Sequence, residues 1–461
     1  MIIHGAAVAF SGATELKISD VRITDGCIAA ISGNLTERYP DDAVIDARGL
    51  WLMPGGIDPH VHFYDPGYTE KEDFLHGTGF AAAGGITTII DMPCTSKPPV
   101  CCLDHLTEKH AVVKPKAVVD YAFHGGMSRQ LMDSGPDEPL ASLIGWVTGV
   151  KCYGVSGMDD VWGALDYYRM SILMRKAREL GLPVLLHAED ASYVNNATAA
   201  ARAAGADAIQ WYRSRPEIAE ILAVRSAVAI AEETDADLHI VHLGTGKAAE
   251  TVAQSPERIS GETCPHYLEF TLDDYLAHGA VMKIAPPVKS AGNRERLWQL
   301  LADGSISFVA SDHAPGTVEE KSGTDIWQNS CGIPGVGTLL PYTLARGYIE
   351  GRLSLARYLE VISENAARRF GLWDRKGSIE PGKHADLVLI DPDSTWTING
   401  RRFFSKGHQT PFEGTKLSGR VEKTLVRGRI VFDRSELTDD NAVEAPLADA
   451  AGWGELLKPV K

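Results

Sequence analysis

The chain has 461 residues, of which 44% are hydrophobic and 23% charged, a composition typical of a soluble globular protein with room for a large barrel and an accessory domain. Its formal net charge of −16 argues against nucleic acid or a membrane as partner, because nucleic acids and anionic lipids bind positively charged surfaces. The seven scattered cysteines form no CxxC pair, and no run resembles a signal peptide or membrane span, so we expect a cytoplasmic protein with reduced thiols.

The predicted elements fall into three segments along the chain. Residues 1–55 contain short β-rich runs separated by Gly and Asp turns. Over residues 56–375 strands alternate with helices, which is the pattern of parallel βα units. A β-rich texture returns at 376–440, and we expect this segment to pair with 1–55 in one small β-sandwich domain. Residues 441–461 show no clear element and are expected to form an arm or a partly disordered tail.

The middle segment contains eight candidate strands, from LMPGGIDPHVH to SISFVASDH. Two of the runs between them have helical spacing: 158–180, which ends at the stop signal Gly181, and 216–234, which begins with Pro216 in a first-turn position. Eight strands with intervening helices predict an α/β fold, a (β/α)8 TIM barrel. Active sites of such barrels lie at the C-terminal ends of the strands.

Six candidate metal ligands lie at the ends of five of these strands. They are His60, His62, Lys151, His187, His242 and Asp312. His60 and His62 are alternate residues of one strand, so both imidazoles can reach the same cation. A single histidine after a strand is usually structural or exposed, but five such strand ends in register predict a site for two divalent metal ions.

Lys151 is the unusual member of this set, because a protonated amine has no lone pair to offer a metal. Reaction with CO2 would convert it into a carbamate, a carboxylate-like group that can bridge two cations. We therefore expect a carbamate on Lys151, with His187 and His242 holding the second cation.

Hydrolysis of an acyl–nitrogen bond is the chemistry that these groups suit. A hydroxide bridging two cations about 3.5–4 Å apart is nucleophilic at neutral pH, and one cation polarises the carbonyl group. Asp312 is expected to bind the first cation, accept the hydroxide proton and pass it to the leaving nitrogen. His266 and His313 are candidate hydrogen-bond partners of the ligands, and the other histidines are expected to be structural or exposed.

Several motifs resemble the amidohydrolase superfamily, and within it the cyclic amidases: dihydroorotases, allantoinases and hydantoinases (dihydropyrimidinases). The motifs are GGIDPHVHFYDPG, AAAGGITTIIDMP, GETCPHYLEFT, ASDHAPGTVEEK and GSIEPGKHADLVLID, and the likeness spans roughly residues 1–435. The resemblance implies a binuclear site, usually of zinc, with a carboxylated lysine, in a homodimer or homotetramer. It maps onto all six candidate ligands.

Three positions depart from the dihydroorotase pattern. The arginine of HxHxREPG is Tyr64 here, the asparagine of DMPNT is Cys94, and the histidine after DHAP is Gly316. A carboxylate without its arginine loses charge-assisted hydrogen bonds, each worth about 1.5–3 kcal/mol. The substrate is therefore expected to be a neutral cyclic amide.

Five positions are candidates for substrate contact. They are Tyr64, Cys94, Tyr153, Ala285 and Cys331. The tyrosine that hydantoinases carry five residues after the lysine is Ser156 here, so Tyr64 or Tyr153 is the alternative aromatic contact. By resemblance, the main chain near Ala285 and Cys331 is expected to hydrogen-bond a cyclic ureide.

Two classes of function stay open at this point. The first is hydrolysis of a neutral five- or six-membered cyclic amide, with allantoin or a hydantoin ahead of dihydroorotate; APPVKSAGNRERLW and similar stretches resemble allantoinase. The second is a non-catalytic scaffold similar to inactive dihydroorotase-like or hydantoinase-like proteins. Such proteins typically lose metal ligands, so the six retained candidates favour the enzyme.

Overall fold

Strands and helices alternate through most of the chain. The computed structural model describes residues 1–157, 161–437 and 449–460. The strands are β1 Ile2–Val8, β2 Lys17–Thr24, β3 Cys27–Ser32, β4 Val44–Asp46, β5 Trp51–Pro54, β6 Gly56–Val61, β7 Ile86–Asp91, β8 Asp120–Phe123, β9 Gly125–Gly126, β10 Val150–Tyr153, β11 Val184–His187, β12 Leu238–Ile240, β13 Ile259–Thr263, β14 Phe308–Val309, β15 Leu387–Thr397, β16 Lys416–Val426 and β17 Arg429–Asp433.

The α-helices are α1 Leu35–Arg38, α2 Phe74–Ala83, α3 Leu103–Val113, α4 Arg129–Ser134, α5 Asp137–Ser142, α6 Tyr167–Leu180, α7 Ala191–Ala204, α8 Ala208–Ser214, α9 Glu217–Thr234, α10 Gly246–Ala253, α11 Pro265–Glu269, α12 Leu272–His278, α13 Ala291–Ala302, α14 Val336–Tyr342, α15 Leu355–Leu359 and α16 Asn365–Arg369. Two π-helical segments, Thr343–Ile349 and Glu360–Glu364, continue α14 and α15. In the described ranges no helix is both long and apolar enough to cross a bilayer.

The strands β6 to β14 form a closed parallel barrel, in which β8 and β9 are one interrupted strand. Parallel pairing runs from β6 through β7 to β8, and from β9 through β10, β11, β12 and β13 to β14. A parallel bridge between Val61 and His313 joins the first strand to the last, and the His62 amide donates to the His313 carbonyl at 2.8 Å. All eight expected strands are present.

The helices α6 and α9 correspond to the two helical runs in the sequence. α6 begins later than expected, because the Asp166 side chain accepts from the Arg169 amide and caps it there; residues 158–160 lie outside the described ranges. It ends at Gly181, whose φ of 66° is the left-handed conformation that glycine adopts without strain. α9 starts directly after Pro216, which is its N-cap and not a first-turn residue.

The two terminal segments build the small domain together. Its sheet has the order β17-β16-β15-β5-β1-β2-β3, with β4 also paired to β1. Buried side chains such as Val21, Leu52 and Leu389 form an apolar core distinct from that of the barrel. The expected TIM barrel with a β-sandwich made from both termini is confirmed, and the sandwich strands belong to one continuous sheet.

Residues 449–460 lie against the barrel and do not form a free arm. The Leu457 amide donates to the Tyr121 carbonyl at 2.7 Å, and the Tyr121 amide donates to the Glu455 carbonyl at 3.0 Å. The described part of the tail therefore pairs with β8 through a parallel bridge between Tyr121 and Leu456. The remainder of the expected tail, 441–448 and 461, lies outside the described residues.

Asp120 links the barrel to the tail and to the small domain. This buried carboxylate in β8 forms ion pairs with Lys376, at 2.5 Å, and with Arg427. It also accepts the Glu455 amide at 2.9 Å, and Lys376 pairs in turn with Asp386. Three separate segments thus converge on one buried charge network.

Candidate metal centre

Five barrel strands end at one cavity of about 640 Å³. Its lining includes all six candidate ligands: His60 in β6, His62 just after β6, Lys151 in β10, His187 at the end of β11, His242 after β12 and Asp312 after β14. Strands of a parallel barrel present their C-terminal ends to the same face, which explains how residues so distant in sequence meet. The structure therefore brings the expected ligand set together.

His60, His62 and Asp312 form the tighter half of the set. The Nε2 atoms of His60 and His62 lie 3.2 and 3.4 Å from Oδ1 of Asp312. One donor atom from each of the three residues lies within 4.8 Å of those of the other two, a spacing at which one cation can be held. The HxH alternation along one strand places both rings on the same side, as the sequence predicted.

The remaining candidate ligands are Lys151, His187 and His242, and the His242 ring lies near both His60 and His187. Its ring centroid lies 5.5 Å from that of His60 and 4.6 Å from that of His187. Lys151 is fully buried, and its Nζ makes no hydrogen bond or ion pair with any described residue. Its Nζ lies 5.2 Å from the centroid of the Tyr153 ring, and because burying a charged amine is costly, the neutral amine is favoured at this position.

Two buried carboxylates orient the histidines, and the sequence analysis missed both. Glu262 in β13 lies 2.5 Å from Nδ1 of His60, which leaves Nε2 of that ring facing the cavity. Glu189 lies 2.9 Å from Nε2 of His187, which leaves Nδ1 for a metal, and it also pairs with Arg215. Carboxylates in this position fix the tautomer and direction of a metal-binding imidazole.

The charge states of the candidate ligands suit metal binding except at His62. Burial lowers the pKa of His62, but its hydrogen bonds with Asp312 and Cys94 outweigh burial and raise the pKa to about 9, so a metal would have to displace that proton. Burial lowers the pKa of the Lys151 amine. Burial alone would raise the pKa of Asp312, but the hydrogen bond from His62 and the other nearby histidines hold it below its ordinary value. Burial likewise lowers the pKa of His242 well below its ordinary value. A carboxylate and a neutral imidazole are the forms that bind metals, and a deprotonated amine is the form that reacts with CO2.

Three of the six described non-glycine residues with a positive φ line the cavity. Tyr64, His242 and Asp312 have φ angles of 54°, 40° and 49°, in the left-handed region that non-glycine residues seldom adopt. Such conformations cost of order 1–3 kcal/mol each and persist where the surrounding structure requires a particular side-chain direction. Here they turn three side chains into the cavity.

The five expected substrate positions all line the cavity. The Tyr153 hydroxyl lies 3.1 Å from Cys94 Sγ, so these two candidates contact each other directly. Gly316, the third departure from the dihydroorotase pattern, is not part of the lining. A Cβ at Gly316 would come within 2.2 Å of the Ser330 hydroxyl, so a larger residue there requires Ser330 to move.

His266 and His313 differ in their relation to the ligands. His266 is buried, its Nε2 has no described hydrogen-bond partner, and burial lowers its pKa to about 4. His313 faces away from the cavity, where its Nε2 lies 3.1 Å from Glu72 and its Nδ1 accepts the Gly335 amide. The His313 side chain is therefore bonded away from the ligands, while its carbonyl accepts the amide of the candidate ligand His62.

A second cluster with metal-type side chains lies at the barrel–sandwich boundary. Asp120, His384 and Asp386 have donor atoms within 4.8 Å of one another. Lys376 and Arg427 already neutralise the two carboxylates. This cluster therefore forms a structural charge network, and the strand-end group remains the candidate metal centre.

Known proteins resemble this chain over nearly its whole length. An allantoinase of Rubrobacter xylanophilus is 38% identical over 441 residues, which are 94% of each chain. A dihydroorotase of Halobacterium salinarum is 38% identical over 420 residues, 90% of this chain and 94% of the relative. The solved structure of the L-hydantoinase (dihydropyrimidinase) from Arthrobacter aurescens aligns with a TM-score of 0.90 at 29% identity over 99% of both chains.

The pattern that defines the amidohydrolase family matches residues 51–431. That span runs from β5 to β17 and contains the whole barrel with every candidate ligand. The match in sequence and the match in fold agree, so this chain belongs to the amidohydrolase family.

Proposed function

We propose that this protein hydrolyses the carbon–nitrogen amide bond of a cyclic ureide, in the manner of allantoinases and hydantoinases, with two divalent metal ions. The observation that carries the proposal is the convergence of six metal-type groups from five strand ends on one cavity. Relatives named allantoinase and a solved hydantoinase structure support the same reaction class. Hydrolysis of an amide bond is chemistry that such a site is suited to perform.

The residues present fit two cations and a carbamate. His60, His62 and Asp312 offer two imidazole nitrogens and a carboxylate for the first ion. His187 and His242 offer nitrogens for the second. Lys151 is buried and lines the same cavity as both groups, and a CO2-derived carbamate on its amine would add a carboxylate-like donor for the cations. Nitrogen and carboxylate donors of this kind suit zinc.

Two bound cations would supply an activated water nucleophile and polarise the scissile carbonyl group. Asp312 is the residue of this chain that moves the proton. Its carboxylate is ionised, lies at the cavity surface beside His60 and His62, and can take a proton from the attacking water and give it to the leaving nitrogen. Glu262 keeps His60 in one orientation during this transfer.

The proposed substrate is a neutral ring, with allantoin first and a simple hydantoin second. Tyr64 and Cys94 occupy the positions where the dihydroorotase pattern has an arginine and an asparagine, and both line the cavity. Tyr64 cannot form the charge-assisted bonds that an arginine gives a ring carboxylate. Dihydroorotate is the alternative, since one relative of comparable identity is named dihydroorotase.

A substrate panel tests the proposal. The purified protein is stripped of metal and reloaded with zinc, manganese or cobalt in the presence of bicarbonate, and kcat/KM is measured for allantoin, hydantoin, dihydrouracil and dihydroorotate. We expect turnover of neutral ureides to exceed that of dihydroorotate. Equal or faster turnover of dihydroorotate contradicts the choice of substrate. Well under one metal per chain after reloading, with no turnover, would support a non-catalytic scaffold.

We also propose the domain boundaries, the oligomeric state and the cellular location of the protein. We expect a small domain from residues 1–55 and 376–440, a catalytic barrel from 56–375, and a homodimer or homotetramer in the cytoplasm. Light scattering coupled to size exclusion measures the assembly, and limited proteolysis maps the boundaries.

A further inference from the structure

One wall of the cavity carries aromatic and cationic side chains that the hydrolytic site does not use. Helix α7 turns Val194, Asn195, Thr198 and Arg202 toward the cavity, at a spacing that keeps them on one helical face. Trp211, Lys283 and Trp327 extend the same wall. Tyr64, Tyr153 and Lys71 also line the cavity.

Two tryptophans form the rigid part of this wall. The rings of Trp211 and Trp327 meet edge to face, with centroids 5.9 Å apart. Each indole is fixed by a main-chain hydrogen bond: Trp211 Nε1 donates to the Ile284 carbonyl at 2.8 Å, and Trp327 Nε1 donates to the Gly205 carbonyl at 2.9 Å. A fixed aromatic surface of this kind favours contact with a flat group.

Each tryptophan ring makes a cation–π contact with a side chain that has no carboxylate partner among the described residues. Lys283 Nζ lies 4.3 Å from the Trp211 centroid, and the Arg202 guanidinium lies 4.4 Å from that of Trp327. Lys283 is only 3% exposed, and its ammonium donates to the Asn329 carbonyl. An ammonium has three donors, so this buried group can satisfy further oxygen acceptors.

Apart from Lys151, the proposed carbamate position, two other cationic residues line the cavity and differ in this respect. Lys71 Nζ lies 2.7 Å from Glu320, and Arg215 pairs with Glu189. Their charges are neutralised within the protein. Arg202 and Lys283 are therefore the cations that remain available to a ligand, and burial makes a ligand oxygen especially favourable for Lys283.

A short series of contacts connects this wall to the proposed second metal position. Arg215 lies 4.8 Å from the Trp211 centroid and pairs with Glu189, which hydrogen-bonds His187. The wall thus begins directly beside the ligands. A cavity of about 640 Å³ lies within the range of about 300–1,000 Å³ typical of ligand sites and holds more than a bare five-membered ring.

We propose that Arg202, Trp211, Lys283 and Trp327 form a specificity subsite for an exocyclic substituent of the ring, one that is planar and carries oxygen acceptors. The inference rests on the proposed function and deepens it. A ureido group and a carboxylate share this chemistry: each is planar and can accept charge-assisted hydrogen bonds from Lys283 and Arg202. An aliphatic substituent would leave both cations without an acceptor, so the subsite selects against it.

Four hydantoins with different groups at one ring position test the subsite. They are hydantoin itself, allantoin with a ureido group, 5-carboxymethylhydantoin with a carboxylate, and 5-isobutylhydantoin with an aliphatic group. For the metal-loaded enzyme we expect kcat/KM to be higher for the ureido or the carboxylate ring than for the aliphatic ring. The order of those two distinguishes a neutral from an anionic substituent. An enzyme that prefers the aliphatic ring overturns the proposal.

Single substitutions test which residues produce the preference for a substituted ring. Lys283→Met and Arg202→Met should each reduce the kcat/KM ratio of the preferred substituted ring over hydantoin by about tenfold, mostly through KM, since a charge-assisted bond is lost. Lys71→Met is the matched control, because it removes a cation from the same cavity that is already paired with Glu320. Its ratio should stay near that of the wild type. Unfolding curves establish that each variant is folded.

Two outcomes contradict the subsite. Equal losses on hydantoin and on the substituted ring would show a structural role for Lys283, and an equal effect of Lys71→Met would show only the summed charge of the cavity. If no ring is hydrolysed, the proposed function fails, and calorimetric binding of the same four rings to the metal-loaded protein still tests the subsite. Binding that does not favour the ureido or the carboxylate ring over hydantoin then overturns it.

Discussion

At the scale of single residues, Lys151 has the most specific role proposed. Lys151→Ala removes the amine proposed to carry the carbamate, so we expect activity near background and fewer than two metals per chain. Measurements of kcat/KM and of metal by mass spectrometry, with bicarbonate present, check this. Added acetate or formate should restore part of the activity, because a small carboxylate can occupy the empty position. A variant with full metal content and full activity would disprove the carbamate assignment.

Asp312 is proposed to bind metal and to transfer the proton. Replacing its carboxylate with the amide of asparagine separates these two roles in part. Asp312→Asn keeps the size and an oxygen donor but cannot accept the proton, so we expect kcat to fall by about 10²–10⁴-fold with much of the metal retained. Steady-state kinetics beside metal analysis is the measurement. A variant that retains wild-type kcat shows that another base transfers the proton.

Glu262 is expected to set metal affinity without contacting substrate. It accepts from Nδ1 of His60 and lies 3.1 Å from Nε2 of His239. Glu262→Gln should weaken the first cation about 10–100-fold, as losses of such supporting carboxylates do. Competition with a chromogenic chelator measures the affinity. Glu72→Gln is the matched control, because Glu72 is also a buried carboxylate bonded to a histidine, His313, but faces away from the cavity; equal losses in both variants would refute the assignment.

At the scale of elements, the sequence predicted the ligands for a geometrical reason. A strand that ends in a polar ligand-type residue, such as β11 with His187, has a recognisable local pattern, and the barrel brings such ends together. Glu262 lies inside β13 and contacts His60 across 202 residues of sequence, so no local pattern indicates its partner. The partner of His313, Glu72, lies 241 residues away in the sequence, so no local pattern indicates that contact either.

The ion pairs and hydrogen bonds of Asp120 are expected to hold residues 449–460 against the barrel. Asp120→Asn removes a buried charge that neutralises Lys376 and Arg427, and breaking a buried pair typically costs about 3–5 kcal/mol. We expect a lower urea midpoint and faster amide exchange in residues 449–460. Asp46→Asn is the control, since its pair with Arg48 is exposed and should matter little. Unchanged exchange in the tail would mean that the network does not hold it.

At the scale of the whole molecule, the proposed metal site predicts that metal binding stabilises the folded protein. Cations that bind the native site and not the unfolded chain stabilise the fold in proportion to their affinity and concentration. Removal by a chelator should lower the calorimetric melting temperature and abolish turnover, and metal with bicarbonate should restore both. In Lys151→Ala the chelator should shift the melting temperature less. Identical melting with and without metal would contradict a resident metal site.

Whole-molecule features were predictable to different extents. Alternating strands and helices between β-rich ends were sufficient for the barrel and the sandwich, because both follow from local periodicity. The docking of residues 449–460 on β8 was not predicted, since it depends on main-chain hydrogen bonds with no side-chain pattern. The aromatic and cationic wall combines α7 and α8 with two distant loops, and such a surface exists only after folding.

The single sheet formed by both termini has a consequence for biosynthesis. β5 pairs with β1 on one side and with β15 on the other, and the entire barrel separates β5 from β15 in the chain. At about 5–20 residues per second, a ribosome takes roughly 20–60 seconds to make that intervening stretch. During this time β5 has one edge without a partner. Nascent chains arrested before β15 should therefore recruit chaperones or aggregate, and release from that state should coincide with the emergence of β15 from the ribosome.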